Sequence, residues 1–153
     1  MRGAAVLLLL ALAACTQASP PRDSGSRPTI VSLNPCSDAV LAEVAEPDQI
    51  LALSHYSHDP ASSSMDLALA RQFPAVSGSV EEVAALGPDI VVAGTFLPPA
   101  TRGAFERLGI AVVSLPIAAT VNESKAQVTQ LAELAGRPDK GIGLNARIGA
   151  SLA

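Results

Sequence analysis

Hydrophobic and polar positions along residues 29–136 switch repeatedly between two periods. Thr29-Ile-Val-Ser-Leu-Asn34 is a short β-rich run, and Asn34-Pro35 ends it. Asn at an N-cap followed by Pro at the first helical position predicts a helix start there. Leu41, Val44 and Ala45 keep helical spacing until Glu46-Pro47-Asp48 stops it. Gln49 to Leu53 reads as a second strand, opening into the loop Ser54 to Pro60. Met65 to Phe73 is predicted helical and Ala75 to Ser77 a short third strand. Val80, Val83, Ala84 and Leu86 place a helix that ends at Gly87-Pro88. Asp89 to Ala93 is a fourth strand, followed by the loop Gly94 to Pro99. A helix over Thr101 to Leu108 leads through Gly109 to a fifth strand, Ile110 to Leu115, and Ser124 to Leu134 is an amphipathic helix closed by Gly136.

Strands alternating with helices of about ten residues predict an α/β fold, a Rossmann-like parallel sheet with helices on both faces. Ligands of such sheets bind beyond the carboxyl ends of the strands. Five segments should meet there: Asn34 to Asp38, Ser54 to Pro60, Gly78 to Glu81, Gly94 to Pro99 and Pro116 to Glu123.

The first 28 residues follow neither period. Arg2 precedes an unbroken apolar run from Ala4 to Ala14, shorter than the roughly 20 apolar residues that span a bilayer. Residues 1–14 therefore read as a signal peptide. The run ends in Leu12-Ala13-Ala14-Cys15, which resembles the lipobox of bacterial lipoproteins and implies lipidation at Cys15. Residues 15–28, rich in Ser, Pro and Arg, form a flexible tether. Thr16 after the cysteine implies, by the usual bacterial sorting rule, a lipid anchor in the outer membrane, facing the periplasm.

Composition narrows the class. Aromatic residues make up 3% of the 153, and net charge is −4. This composition weighs against a stacking platform or a basic surface for nucleic acid. Two cysteines are too few for a disulfide scaffold or a four-ligand zinc site. Gly141-Ile-Gly143-Leu-Asn-Ala146 spells a dinucleotide-like string, but Arg137-Pro138-Asp139-Lys140 stands where its strand should be. No Gly-x-Ser-x-Gly, Walker or zinc-protease motif supports an enzyme, although a hydrolase or redox role for Cys36 defines the opposing class.

Three stretches carry a family resemblance: Ile30-Val-Ser-Leu-Asn-Pro-Cys-Ser-Asp38, Ala52-Leu-Ser-His-Tyr-Ser-His-Asp-Pro60, and Val76-Ser-Gly-Ser-Val-Glu-Glu-Val-Ala-Ala-Leu-Gly-Pro-Asp-Ile-Val-Val92. In this order, with Gly109-Ile-Ala-Val-Val113 and the Asn122-Glu-Ser124 helix start, they resemble the periplasmic substrate-binding proteins of ABC importers for vitamin B12 and ferric siderophores. The resemblance implies a two-lobed protein that needs no cofactor of its own. It would capture a metal chelate (siderophore, haem or corrinoid) as a monomer and deliver it to an ABC permease in the inner membrane. Residues 29–136 would be the N-terminal lobe and 137–153 the start of the connecting helix, so that the chain is an N-terminal lobe, either a fragment or a truncated and non-functional one.

The resemblance also implies site residues. Asn34, Pro35, His55, Tyr56, His58, Gly94 and Thr95 would contact ligand, and Glu81, or its neighbour Glu82, would pair with permease arginines. Each has a plainer reading. Glu81 and Glu82 also favour a helix N-terminus electrostatically, and Tyr56 also suits a half-buried loop anchor. His55 and His58 could instead supply a zinc or manganese site. The shortness of Val76-Ser77-Gly78-Ser79, which has no counterpart to the B12 binders' pocket tryptophan, weighs against cobalamin. Cys36 is expected to be a small buried residue at its helix start.

Overall fold

The computed structural model describes residues 27–153. The signal peptide, Cys15 and all but the last two residues of the tether lie outside the described residues. Five strands, β1 (Ile30–Ser32), β2 (Ile50–Ser54), β3 (Ala75–Val76), β4 (Ile90–Gly94) and β5 (Ala111–Leu115), form one sheet in the order β3-β2-β1-β4-β5. Every pairing is parallel. Among the described residues six α-helices accompany them: α1 (Pro35–Val44), α2 (Leu67–Ala70), α3 (Val80–Leu86), α4 (Pro99–Arg107), α5 (Val121–Leu134) and α6 (Pro138–Ser151).

Both faces of the sheet are covered, which is why its strands read as near-continuous apolar runs. Alternate residues serve opposite cores. Ile30, Leu53, Val92 and Leu115 pack with Leu41 of α1 and with Leu131 and Ala135 from α5 and its end. Val31, Ala52, Val91 and Ala93 pack with Val83 of α3 and Phe105 of α4. Fully burying one such side chain contributes about 1.5–3 kcal/mol, so a shift of one residue in any central strand would exchange two cores at once.

The helices differ from expectation at their ends. Helix over Met65 to Phe73 shrinks to the single turn Leu67–Ala70, capped by Asp66, whose Oδ1 accepts from Ala68 N (2.9 Å) and Leu69 N (3.0 Å). Pro74 bars α-helical geometry at Phe73, and the Pro74 carbonyl instead accepts from Leu53 N on β2. Helix α4 opens at Pro99 rather than Thr101 because the second proline of Pro98-Pro99 fits the first helical position. Helix α5 begins at Val121 rather than Ser124 because Thr120 and Glu123 form a capping box. Residues 138–151 are helical and lie on α5 at Gly141, where a Cβ would stand 2.6 Å from Ala132 Cβ. Asn145 Nδ2 donates to Lys125 O (3.0 Å), and Arg147 bonds Glu43 of α1 (2.6 Å).

Candidate functional site

The order β3-β2-β1-β4-β5 sets a topological switch point between β1 and β4. The chain leaves β1 for α1 on one face and β4 for α4 on the other, which opens a crevice beyond their carboxyl ends. A cavity of about 1120 Å³ lies there. It draws lining residues from all five loops expected to converge, including Asn34, Tyr56, Gly78, Gly94 and Pro116. At Gly94 the backbone comes close to its neighbours: a Cβ would sit 3.4 Å from Phe96 Cδ2 and 3.5 Å from Asn34 Nδ2.

None of the described residues that line this cavity is charged. Its polar groups are hydroxyls, amides and the Cys36 thiol, set among Phe96, Ile117, Leu97 and prolines. Phe96 and Ile117 are 77% and 74% exposed at its edge. Large apolar side chains left in water around a recess mark a surface with a partner.

Several of the expected contact residues come together. Asn34 lines the cavity and its Oδ1 accepts from Cys36 N (2.9 Å), capping α1. Pro35, Gly94 and the half-exposed Tyr56 also line it. Thr95 is exposed on the turn after β4 and is not part of the lining. His55 and His58 lie outside the cavity too, each holding a backbone carbonyl: His55 Nδ1 bonds Val76 O (3.3 Å) and His58 Nε2 bonds Ala70 O (3.0 Å). Among the described residues no three His, Cys, Asp or Glu side chains cluster as metal ligands would.

The two glutamates are not equivalent. Glu82 accepts from Ser77 N (2.9 Å) and Ser77 Oγ (2.5 Å), and the Ser77 hydroxyl above all holds its carboxyl below the ordinary range. Glu81 is exposed in the first turn of α3. Cys36 departs from its expected burial: it is exposed and lines the cavity, its Sγ 3.8 Å from Ser64 Oγ. With Pro35 at N1, the inward positions of the first turn fall to Ser37 and Asp38, and Cys36 faces the crevice.

Asp38 is the residue that motif reading passed over. It lies completely buried on the inner face of α1, three residues before Leu41. Its Oδ2 accepts from Ser54 N (3.0 Å) and Ser57 Oγ (2.6 Å). Its Oδ1 and the buried Ser32 Oγ have no well-formed hydrogen bond. Burial pushes the carboxyl up to about 7, against the opposing pull of the Ser32 and Ser57 hydroxyls and the Ser54 amide. The sequence signal was an acid on an otherwise apolar helical stripe.

The fold has solved relatives. A periplasmic heme binding protein from Pseudomonas aeruginosa superposes with TM-score 0.66 at 18% identity, over 80% of this chain and 43% of that one. The periplasmic vitamin B12 binding protein BtuF of Vibrio cholerae gives 0.64 at 21%, over 82% and 48%. The periplasmic heme binding protein HutB of Vibrio cholerae gives 0.67 at 16%, over 82% and 48%. At these identities the likeness is one of fold, and the chain spans less than half the length of these relatives. A sequence comparison with curated proteins finds no match. A family model described as periplasmic binding protein matches residues 30–153, most of the chain, and the chain belongs to that family.

Proposed function

We propose that this chain contributes one wall of a substrate-binding site for a metal-bearing macrocycle, haem or a corrinoid, carried in the periplasm to an ABC permease. The observation that carries the proposal is the cavity of about 1120 Å³ at the switch point, lined without a charged side chain. Ligand pockets commonly measure about 300–1,000 Å³, so this one suits a large flat molecule. A macrocycle offers extended apolar faces to Phe96, Ile117 and the Tyr56 ring. The carboxylates of a haem would stay at the open edge, in water. An anionic ferric siderophore would need cations that this wall lacks.

The remaining assignments belong to the same reading. Residues 29–136 form the lobe and 137–153 begin the connecting helix. Glu81, whose carboxylate has no structural task comparable to that of Glu82, docks on permease arginines. Cys15 carries the lipid anchor.

Titration of the chain with hemin, cyanocobalamin and an anionic ferric catecholate tests the proposal. Hemin or cyanocobalamin should shift its absorbance on binding, and Tyr56→Ala should weaken that binding about tenfold or more, or about 1.4 kcal/mol. Binding of the catecholate alone, or of none of the three, overturns it.

A further inference from the structure

In the turn that carries Tyr56, the side chains of His55, Ser57 and His58 are all hydrogen-bonded to neighbouring elements. Residues His55–His58 form one turn of 3-10 helix directly after β2, with Ser54 as N-cap. The Ser54 hydroxyl accepts from Tyr56 N (3.3 Å), while Ser54 N donates to Asp38 Oδ2 (3.0 Å). Ser57, fully buried, donates its hydroxyl to the same Oδ2 (2.6 Å). His55 reaches across to the β3 carbonyl of Val76, and His58 to the α2 carbonyl of Ala70. The Tyr56 side chain is 50% exposed at the cavity wall, and its one ring contact is with His55, centroids 4.1 Å apart and planes tilted 35°.

We infer that Asp38 is a positioning residue for the ligand site, its single oxygen Oδ2 pinning the entry and the third residue of the turn that presents Tyr56 to the crevice. The inference deepens the proposed function and rests on Tyr56 touching ligand there. The geometry is economical. A buried acceptor that takes a backbone N–H and a side-chain O–H fixes the entry to the turn and its third residue. The two residues between them, His55 and Tyr56, have little backbone freedom left. Asp38 itself never meets the ligand, because it is absent from the cavity wall and has no exposed surface. Ordering Tyr56 before binding removes part of the entropy that ligand capture would otherwise cost.

The chain has one tyrosine and no tryptophan, so its intrinsic emission reports on Tyr56 alone. Steady-state anisotropy and acrylamide quenching of that emission are measured on the ligand-free chain and on Asp38→Ala, Ser57→Ala and Asp38→Asn. Asp38→Asn keeps a carbonyl oxygen for both donors. A freer, more quenchable ring in Asp38→Ala and Ser57→Ala, restored in Asp38→Asn, is the expected result. Hemin affinity should fall about tenfold in the loosened variants. Circular dichroism sets aside a variant that has not folded, and Ser57→Ala, which removes one hydroxyl, keeps the test alive if Asp38→Ala is lost. Anisotropy and quenching unchanged in folded Ser57→Ala overturn the inference. A loosened ring with hemin affinity unchanged, in these variants and in Tyr56→Ala, retires Tyr56 as a ligand contact while the positioning role stands.

Discussion

Replacing Asp38 by Asn should change how stability depends on pH more than it changes stability itself. The carboxyl has an ordinary value of 3.8 and is pushed to about 7 by burial. Below pH of about 4 it holds its proton in both the folded and the unfolded chain. Between about 4 and 7 the unfolded chain releases the proton and the folded one keeps it. The folded state then binds more protons, so stability falls as pH rises through this window and levels off above it. The difference of about 3 pH units, at about 1.4 kcal/mol each, amounts to about 4 kcal/mol. Four exposed carboxyls, Asp59, Glu82, Glu123 and Asp139, are held below their ordinary values instead, each by a hydrogen bond first. They contribute stability that is lost only as pH falls through those lowered values, so a window from about pH 5 to 8 lies clear of them, and every group but Asp38 is common to the two proteins compared. Asn offers its carbonyl oxygen to Ser54 N and Ser57 Oγ and puts an amide donor beside the Ser32 hydroxyl. Urea denaturation at half-unit steps across that window should show the parent chain losing stability toward pH 8 while Asp38→Asn stays level. The variant would then be the more stable of the two above neutrality. Parallel profiles for the two proteins would refute the buried-acid argument.

Two other perturbations have defined outcomes. Phe105 is the largest fully buried side chain and fills the core between the sheet and α4; Phe105→Ala should cost about 3–5 kcal/mol in urea denaturation, and a loss below about 1 kcal/mol would mean that this core is not close-packed. Cys36, exposed on the cavity wall, should react with a thiol reagent in the folded Cys15→Ser chain, and hemin should slow that reaction; equal rates with and without bound hemin would place the ligand elsewhere.

The strand and helix alternation was legible in the sequence because every central strand is buried on both faces and every α-helix carries a capping or proline signal. Asn34-Pro35, Ser79 before α3 and Gly87 after it mark ends that the structure keeps, Gly87 with a φ of +59° that favours glycine. Helix α2 is shorter than its apolar pattern for a physical reason. Met65, Leu69 and Phe73 sit at helical spacing, yet Pro74 and the need to enter β3 at Ala75 leave room for one turn. The loops that form the crevice were legible as a set, since strand ends in a parallel sheet point one way. Which side chains of a loop face the crevice was not. His55, Tyr56 and His58 are neighbours of similar character on one loop, and only the partners supplied by β3 and α2 send the two imidazoles away and leave the tyrosine facing the cavity.

Asp38 shows the same limit from the other side. A carboxylate three residues before Leu41 conflicts with an apolar helix face, and such a conflict between local pattern and burial is where function or strain concentrates. Its resolution needed Ser54 and Ser57, 16 and 19 residues away, to arrive at the same oxygen. Those two serines flank the histidine and the tyrosine in a stretch whose chemistry drew attention to the rings alone. The hydroxyls and amide around a buried acid define the geometry of the turn, and the turn defines what the crevice meets. The uncharged wall and the buried acid are therefore one arrangement: the acid of this site is kept behind the tyrosine, where it holds the turn in place without entering the crevice.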